Sequence, residues 1–173
     1  MSVESAAEPV AQPLVGFRHW GARRGGLYSG IFVAGQFIPN PALRMVAPRV
    51  RPMPWPTSED RVAKCFALRG HDAPHRDCNC GYAAWYELPD DPAVPAPEGA
   101  WGAICAWGRI VEHETGFRAQ YARAIALLDL RYPGDRREKG LRIENAAEAY
   151  GIPVLPREDL VAYARWHGEL RAA

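Results

Sequence analysis

Hydrophobic and small side chains alternate over residues 101–108, WGAICAWG, with the period of a β-strand. A turn at residues 115–116 then leads into a second segment that begins at Phe117. The pattern predicts a β-hairpin. For the second arm, the pattern allows either a strand or a helix. Three of its apolar residues also recur at helical spacing, namely Tyr121, Ile125 and Leu128.

Two helices are predicted near the end of the chain. The first has four apolar or aromatic residues at positions i, i+3, i+4 and i+7, namely Ile143, Ala146, Ala147 and Tyr150. Gly151 follows where a C-terminal cap belongs. The second begins at Pro156 and stops at Gly168, with a short extended link between the two helices.

The remainder of the chain divides by composition. Residues 1–13 read as a mobile tail, and residues 14–37 mix aromatics with glycine pairs, which favours short strands joined by tight turns. Six prolines over residues 39–56 predict an extended segment on the surface of the core. We therefore expect one α+β domain over residues 14–173, built from a small antiparallel sheet and two C-terminal helices.

The two faces of the first hairpin arm differ in size. One face carries Trp101, Ala103, Cys105 and Trp107, and the other carries Gly102, Ile104, Ala106 and Gly108. We expect the C-terminal helices to cover the glycine face, since small residues allow close approach. We expect Trp107 to lie in the core, beside the cysteine-rich loop described next.

Cysteine and histidine are concentrated in one loop, residues 64–81, which contains Cys65, His71, His75, Cys78 and Cys80. Thiolate sulfur and imidazole nitrogen are the ligands that zinc prefers, and a structural site needs four of them in a constrained segment. The spacing predicts one structural zinc ion held by Cys65, His71, Cys78 and Cys80. Such an ion would order a loop that is otherwise poor in regular structure.

Alternatives to this ligand set remain open. His75 could replace His71, and Cys105 could complete an all-cysteine site if the hairpin packs beside the loop, although core packing accounts for Cys105 more simply. Four cysteines could also ligate an iron–sulfur cluster, which the two nearby histidines make less natural. The simplest alternative is a set of reduced thiols that pack as small hydrophobic side chains.

The net charge, the apolar segments and the composition of residues 1–13 indicate which binding partners and which cellular compartment to expect. The 173 residues carry a formal net charge of +1, so no overall field attracts nucleic acid or an anionic membrane. No segment approaches the roughly 20 apolar residues of a spanning helix. Residues 1–13 contain two glutamates and no apolar run, and this pattern predicts a cytoplasmic protein with reduced thiols.

A second polar group lies at the end of the first hairpin arm, where Glu112, His113 and Glu114 precede Arg118. An imidazole beside carboxylates could act as a general acid–base pair. The simpler interpretation is a solvated strand end, because alternation places His113 on the opposite side from both glutamates. The chain contains no Walker loop, GxGxxG, GxSxG or HExxH motif.

Arginines could serve a nucleic-acid interface if aromatic platforms lie beside them. The basic residues concerned are Arg49, Arg51, Arg131, Arg136, Arg137, Lys139 and Arg142, and the aromatic residues are Trp20, Tyr28 and Trp55. Acidic neighbours balance much of this charge, so an ordinary solvated surface is the simpler interpretation.

Three short motifs are similar to those of a family of uncharacterised proteins from actinobacteria and their phages. They are CNCGYA at residues 78–83, WGRIVEHETGFRA at residues 107–119 and YGIPV at residues 150–154. The resemblance implies that residues 65–119 form one folded unit. It brings no assigned activity and therefore no catalytic residues.

Three hypotheses of function follow. The first is a non-enzymatic, zinc-stabilised adaptor or regulatory module that binds another protein, with some of the six tryptophans as interface anchors. The second is a nucleic-acid-binding accessory factor that uses the arginines. The third is a hydrolase or transferase centred on His113. The sequence leaves the identity of the partner and the oligomeric state open.

Overall fold

The computed structural model describes residues 12–23, 25–29, 54–57, 61–65, 70–90, 99–130 and 137–172. These residues form seven strands and two helices. The strands are β1 (Leu14–Arg23), β2 (Gly26–Ser29), β3 (Tyr82–Trp85), β4 (Gly99–His113), β5 (Gly116–Leu128), β6 (Val154–Leu155) and β7 (Glu169–Leu170). The helices are α1 (Arg137–Tyr150) and α2 (Arg157–His167). The predicted α+β class, with a mainly antiparallel sheet and two C-terminal helices, is confirmed.

The predicted hairpin is the longest pairing of the sheet. β4 and β5 run antiparallel from the pair Gly102–Leu127 to the pair His113–Gly116. The turn occupies residues 114–115, one residue earlier than the pattern indicates. The second arm is a strand, and its helical alternative is wrong. Pairing along β4 outweighs the helical spacing of a few apolar residues, as tertiary context commonly does.

A β-bulge interrupts β4 at Gly108. Trp107 pairs with Tyr121 and Ile110 pairs with Ala119, so that two residues of β4 face one residue of β5. Gly108 has a φ of +79°, and a Cβ atom there would lie 2.7 Å from the ring of Tyr121. Glycine meets both constraints, and a bulge of this kind bends the strand and increases its twist.

The remaining strands extend the hairpin on both sides. β1 pairs antiparallel with β4 and with β2, and β3 pairs antiparallel with β5. A single pair, Phe17–Trp85, joins β1 to β3 and closes the ring of pairings β1–β4–β5–β3. The short strands β6 and β7 add parallel pairings to β5 and β1. The first residues of β5, Gly116–Ala119, thereby lie beside β3, whose start at Tyr82 follows the cysteine loop.

The two helices cover opposite faces of the hairpin. Ile104 and Ala106, on the glycine face, share a buried cluster with Ile143 of α1. Cys105, on the other face, shares a second cluster with Leu160 of α2. The expectation that both helices cover the glycine face is right for α1 and wrong for α2. Each helix has an apolar stripe, and a sheet that is apolar on both faces can bury one stripe on each.

Trp107 lies away from the cysteine loop, so its expected position in the core beside that loop is wrong. The side chain is half-buried and stacks on Tyr121, with 5.9 Å between ring centroids and 8° between ring planes. It packs on the same cluster as α2. The cysteine loop instead contacts β5 near Arg118, on the far side of the bulge.

The ends of both helices agree with the sequence pattern. α1 ends at Tyr150, and Gly151 follows with a φ of +63°. α2 begins after Pro156 and ends before Gly168. Within the described ranges, no helix combines the length and the apolar character that crossing a membrane requires.

Part of the proline-rich segment packs into the core. Trp55 is 2% exposed, and its backbone N–H donates a hydrogen bond to the carbonyl oxygen of Leu27 at 2.8 Å. Trp20 is fully buried and contacts the Trp55 ring edge-on. These two tryptophans are therefore core residues, and their predicted role as stacking platforms is wrong. Residues 1–11 of the tail and 39–53 of the proline-rich segment lie outside the described residues.

Candidate metal centre

Four side chains of the cysteine loop converge on one point. The donor atoms of Cys65, His71, Cys78 and Cys80 all lie within 4.8 Å of one another. The Cys65 and Cys78 sulfurs are 3.6 Å apart, and Cys80 Sγ lies 3.4 Å from His71 Nε2. None of the four cysteines forms a disulfide. The cluster could hold a metal ion, and its four members are the residues that the sequence predicted.

The loop is shaped by two residues of left-handed conformation. Gly70 has a φ of +61° and stands before His71, and Gly81 has a φ of +110° and follows Cys80. A Cβ atom at Gly81 would lie 3.0 Å from Pro74, 3.2 Å from the carbonyl oxygen of Ala119 and 3.2 Å from Arg118 Cβ. Gly81 therefore lets the loop enter β3 while it touches β5, which a larger residue would prevent.

His75 lies beside the cluster and does not complete it. Its ring stacks on the His71 ring, with 4.5 Å between centroids and 27° between planes. The His75 Nδ1 atom accepts a hydrogen bond from the backbone N–H of Asp77 at 3.2 Å, and the His75 carbonyl oxygen accepts one from the backbone N–H of Cys78. His75 therefore forms the turn that directs Cys78 towards the cluster.

Cys105 is also separate from the cluster. It lies on β4, is buried among residues of the α2 side, and places its sulfur 3.9 Å from the carbonyl oxygen of His167. The structure therefore does not bring the four cysteines together, as an all-cysteine metal site or a four-cysteine iron–sulfur cluster would require. The explanation of Cys105 as a core residue is confirmed.

The immediate environment of the cluster is apolar. Cys80 is 8% exposed, and it packs with Ala63 and Ala73. Burial raises the pKa of the Cys80 thiol, and the hydrogen bond that this thiol donates to Cys78 adds to the effect. Repulsion from the Cys78 and Cys65 sulfurs also raises the pKa of Cys80. A bound cation would reverse this, because metal-coordinating thiols lose their protons.

Arg118 joins the cluster loop to the sheet. This residue of β5 is 7% exposed. Its Nη1 donates a hydrogen bond to the carbonyl oxygen of His75 at 3.2 Å, and its Nη2 donates one to the carbonyl oxygen of Arg76 at 3.4 Å. Two backbone acceptors in the turn before Cys78 are thus satisfied by one buried cation, which fixes the turn against β5.

The same guanidinium contacts His113 at the hairpin end. Arg118 Nε donates to His113 Nε2 at 2.9 Å, and Nη2 lies 2.7 Å from the same atom. Because arginine is only a donor, His113 Nε2 is the acceptor in these contacts. Nε2 is therefore engaged in a hydrogen bond that positions Arg118.

Glu112 takes part in a different network, on the other side of the strand. The hydroxyl of Tyr86 donates to its Oε2 at 2.9 Å, and Arg171 forms an ion pair with the same oxygen. Burial raises the pKa of Tyr86 to about 12, and the bond to Glu112 contributes to this shift. Glu112 and His113 thus have separate partners, and His113 lines neither the cavity beside the cysteine loop nor the cavity next to α2.

Three further contacts hold the ends of the loop. The backbone N–H of Ala63 donates to the carbonyl oxygen of Gln120 at 2.8 Å, and the Tyr82 hydroxyl donates to the carbonyl oxygen of Arg61 at 3.1 Å. The ion pair between Arg109 and Asp72 is long, at 3.9 Å, and solvent-exposed. It contributes little. Backbone pairing and Arg118 therefore do most of the anchoring.

Sequence reasoning missed the role of Arg118 as an anchor. A signal was present, since Arg118 stands between Phe117 and Ala119 in a strand whose other neighbours are mostly apolar. The basic residues grouped for nucleic-acid binding cannot be placed in the same way. Apart from Arg142, their side chains lie outside those that the structure describes.

No protein-family model, curated protein or solved structure matches this chain.

Proposed function

We propose that this protein is a zinc-stabilised, non-enzymatic adaptor or regulatory module that binds another protein. The observation that carries the proposal is the closed set of four donors, Cys65, His71, Cys78 and Cys80. A metal held by four side chains has no coordination position left for a substrate. Its contribution is to order the loop between the end of the proline-rich segment and β3.

The distances support zinc as the ion. Tetrahedral zinc with bonds of about 2.3 Å to sulfur and about 2.0 Å to nitrogen separates two thiolates by about 3.8 Å, and a thiolate from an imidazole nitrogen by about 3.6 Å. The corresponding separations are 3.6 Å for Cys65 and Cys78, and 3.4 Å for Cys80 and His71. Three soft thiolates and one imidazole favour zinc over hard cations.

The exposed aromatic group of α2 supports a protein partner. Trp166 is 79% exposed, whereas Leu160 and Ala164 of the same helix are fully buried against the sheet. Its ring lies 5.0 Å from the His167 ring and 6.3 Å from the Tyr163 ring. Tryptophan is enriched among the residues that contribute most to binding at protein–protein interfaces. We assign Trp166 this role.

The hydrolase hypothesis receives less support. General base catalysis requires a ring nitrogen within reach of a substrate proton, and Nε2 of His113 accepts hydrogen bonds from Arg118. The nucleic-acid hypothesis also receives less support. It requires exposed aromatic side chains, and two of the three aromatic residues that were named, Trp20 and Trp55, are buried in the core.

A comparative pull-down tests the proposal. The full chain, the Trp166→Ala variant and the Trp85→Ala variant are used as bait in parallel, with and without nuclease, and the captured proteins are quantified by mass spectrometry. Trp85 is the matched control, because it is also an exposed tryptophan (46%) and lies on β3 rather than α2.

We expect one protein to be captured by the wild type and by Trp85→Ala, independently of nuclease, and lost with Trp166→Ala. With that protein purified, Trp166→Ala should weaken the dissociation constant about tenfold or more. Capture that disappears on nuclease treatment, or equal capture by all three baits, would contradict the proposal.

A further inference from the structure

A cavity of about 250 Å³ opens beside the cysteine loop. Its wall is formed by Arg18 of β1, by residues 61–64 before the first cysteine of the loop, and by residues 79–82, which include the last cysteine, Cys80. Three cationic side chains line it: Arg18, Arg61 and Lys64. Arg61 and Lys64 are exposed, and Arg18 is half-buried at the inner end.

Arg18 is only partly satisfied by the protein. Nη1 donates to the carbonyl oxygen of Ala83, and the guanidinium lies over the Trp55 ring, 4.5 Å from its centroid. Nε is buried and makes no hydrogen bond within the described part of the chain. Burial lowers the pKa of Arg18 to about 10, and the nearby Tyr82 opposes only part of that shift. The Nε atom is thus removed from water, and no described carboxylate pairs with the guanidinium, which is costly for a cation.

Neutralising groups are absent from the described surroundings. No aspartate or glutamate is among the residues that line the cavity. The ion pairs between described residues involve other arginines, namely Arg109, Arg157 and Arg171. Three positive charges therefore line one opening, with no carboxylate among the described residues that form it, and together they produce a local positive potential that the net charge of the chain conceals.

The other side of the cavity is apolar. It is formed by Tyr82, Pro54, Ala63 and Val62, the last of which is 40% exposed. A cavity of this size has room for an acidic group attached to one ring or a short chain.

We propose that this cavity binds a small organic anion, whose carboxylate or phosphate pairs with Arg18, Arg61 and Lys64 and whose apolar body lies against Tyr82. Arginine binds both kinds of oxyanion through parallel N–H donors, so the shared chemistry is that of an oxyanion on a compact apolar body. This ligand site is distinct from the Trp166 surface and does not depend on it.

The site shares its walls with the cysteine cluster. Lys64 immediately precedes Cys65, and Gly81 and Tyr82 immediately follow Cys80. Whatever orders the cysteine loop also orders two sides of the cavity. Anion affinity and metal retention should therefore increase or decrease together, as linkage requires of coupled sites.

Calorimetric titration of the full chain, purified with its metal, tests the inference. The probes are phenyl phosphate and benzoate, with phenol as the uncharged control. We expect at least one anion to bind, with an affinity that falls as salt rises, and phenol to bind much more weakly.

The Arg61→Ala/Lys64→Ala double variant should lower the affinity for the anion about tenfold or more. Both residues are exposed, so this variant should fold even if Arg18 cannot be replaced. Arg165→Ala is the matched control, since Arg165 is an exposed arginine of α2 outside the cavity. Its affinity should equal that of the wild type.

Three results would overturn the inference: no binding of either anion at low salt, equal binding of phenol, or an equal loss of affinity in Arg165→Ala. Binding of phenyl phosphate alone would identify the ligand as a phosphate, and binding of benzoate alone as a carboxylate. Either result supports the site.

Discussion

The guanidinium group of Arg118 donates a hydrogen bond to the backbone carbonyl oxygen of His75, with 3.2 Å between Nη1 and the oxygen. A buried side chain of the central hairpin thereby holds the turn from which Cys78 enters the four-donor cluster. We expect the sheet and the cluster to be coupled, so that loss of this anchor weakens the retention of metal.

Arg118→Met tests this coupling. The substitution keeps an apolar stem and leaves the two loop carbonyl oxygens without their donor, so the free energy of unfolding should fall by about 2–3 kcal/mol. Urea unfolding measures the stability, and competition with a chromogenic chelator measures metal retention. Both should decrease.

Two further variants show whether the loop contact is the cause. Arg109→Met removes an arginine that makes only a long, exposed ion pair with Asp72, and it should change both quantities little. His113→Ala removes an exposed acceptor of Arg118 and should cost about 1 kcal/mol. If Arg118→Met retains metal as well as Arg109→Met does, the anchor has no such role.

The fourth ligand can be identified by single substitutions. His71→Ala should weaken metal retention strongly, because it removes the donor 3.4 Å from Cys80 Sγ. His75→Ala should weaken it only slightly, since His75 acts through its turn, and Cys105→Ala should leave it unchanged. Competition with a chromogenic chelator ranks the three variants by how strongly they retain metal. Equal retention in all three would mean that another group fills the position.

Gly81 provides a test that leaves every donor in place. Gly81→Ala adds a methyl group to a residue with a φ of +110° and brings it to 3.0 Å from Pro74. We expect a loss of about 1–3 kcal/mol in the free energy of unfolding, together with weaker metal retention. Gly140→Ala, in α1 with open space around it, should instead raise stability by about 0.5–1 kcal/mol. Equal effects of the two substitutions would show that Gly81 imposes no constraint.

The sequence predicted the structure best in segments where one hydrophobic period, or one type of metal-ligating side chain, dominates. Alternation over residues 101–108 identified β4, helical spacing with Gly151 identified α1, and thiols close to imidazoles identified the cluster. Each of these signals is local. Residues that are close in sequence also tend to lie close in space, which is why the four members of the cluster could be named in advance.

The predictions that were wrong depended on contacts between segments that are distant in the sequence. The helical spacing in β5 was overridden by pairing with β4, and Trp55 is buried because Leu27 binds its backbone. The face that α2 covers also could not be predicted, because both faces of β4 are apolar. Arg118 looked like a polar strand residue, and its role became visible only when residues 75–76 were placed beside β5.

The central claim is that the four-donor cluster holds one structural zinc ion, and elemental analysis of the reduced, purified chain tests it most directly. We expect about one zinc per chain, and loss of that zinc together with a lower melting temperature in Cys78→Ser and Cys80→Ser. Cys105→Ser, the control thiol on β4, should keep the full metal content. A fully folded wild-type chain that contains no metal would contradict the account.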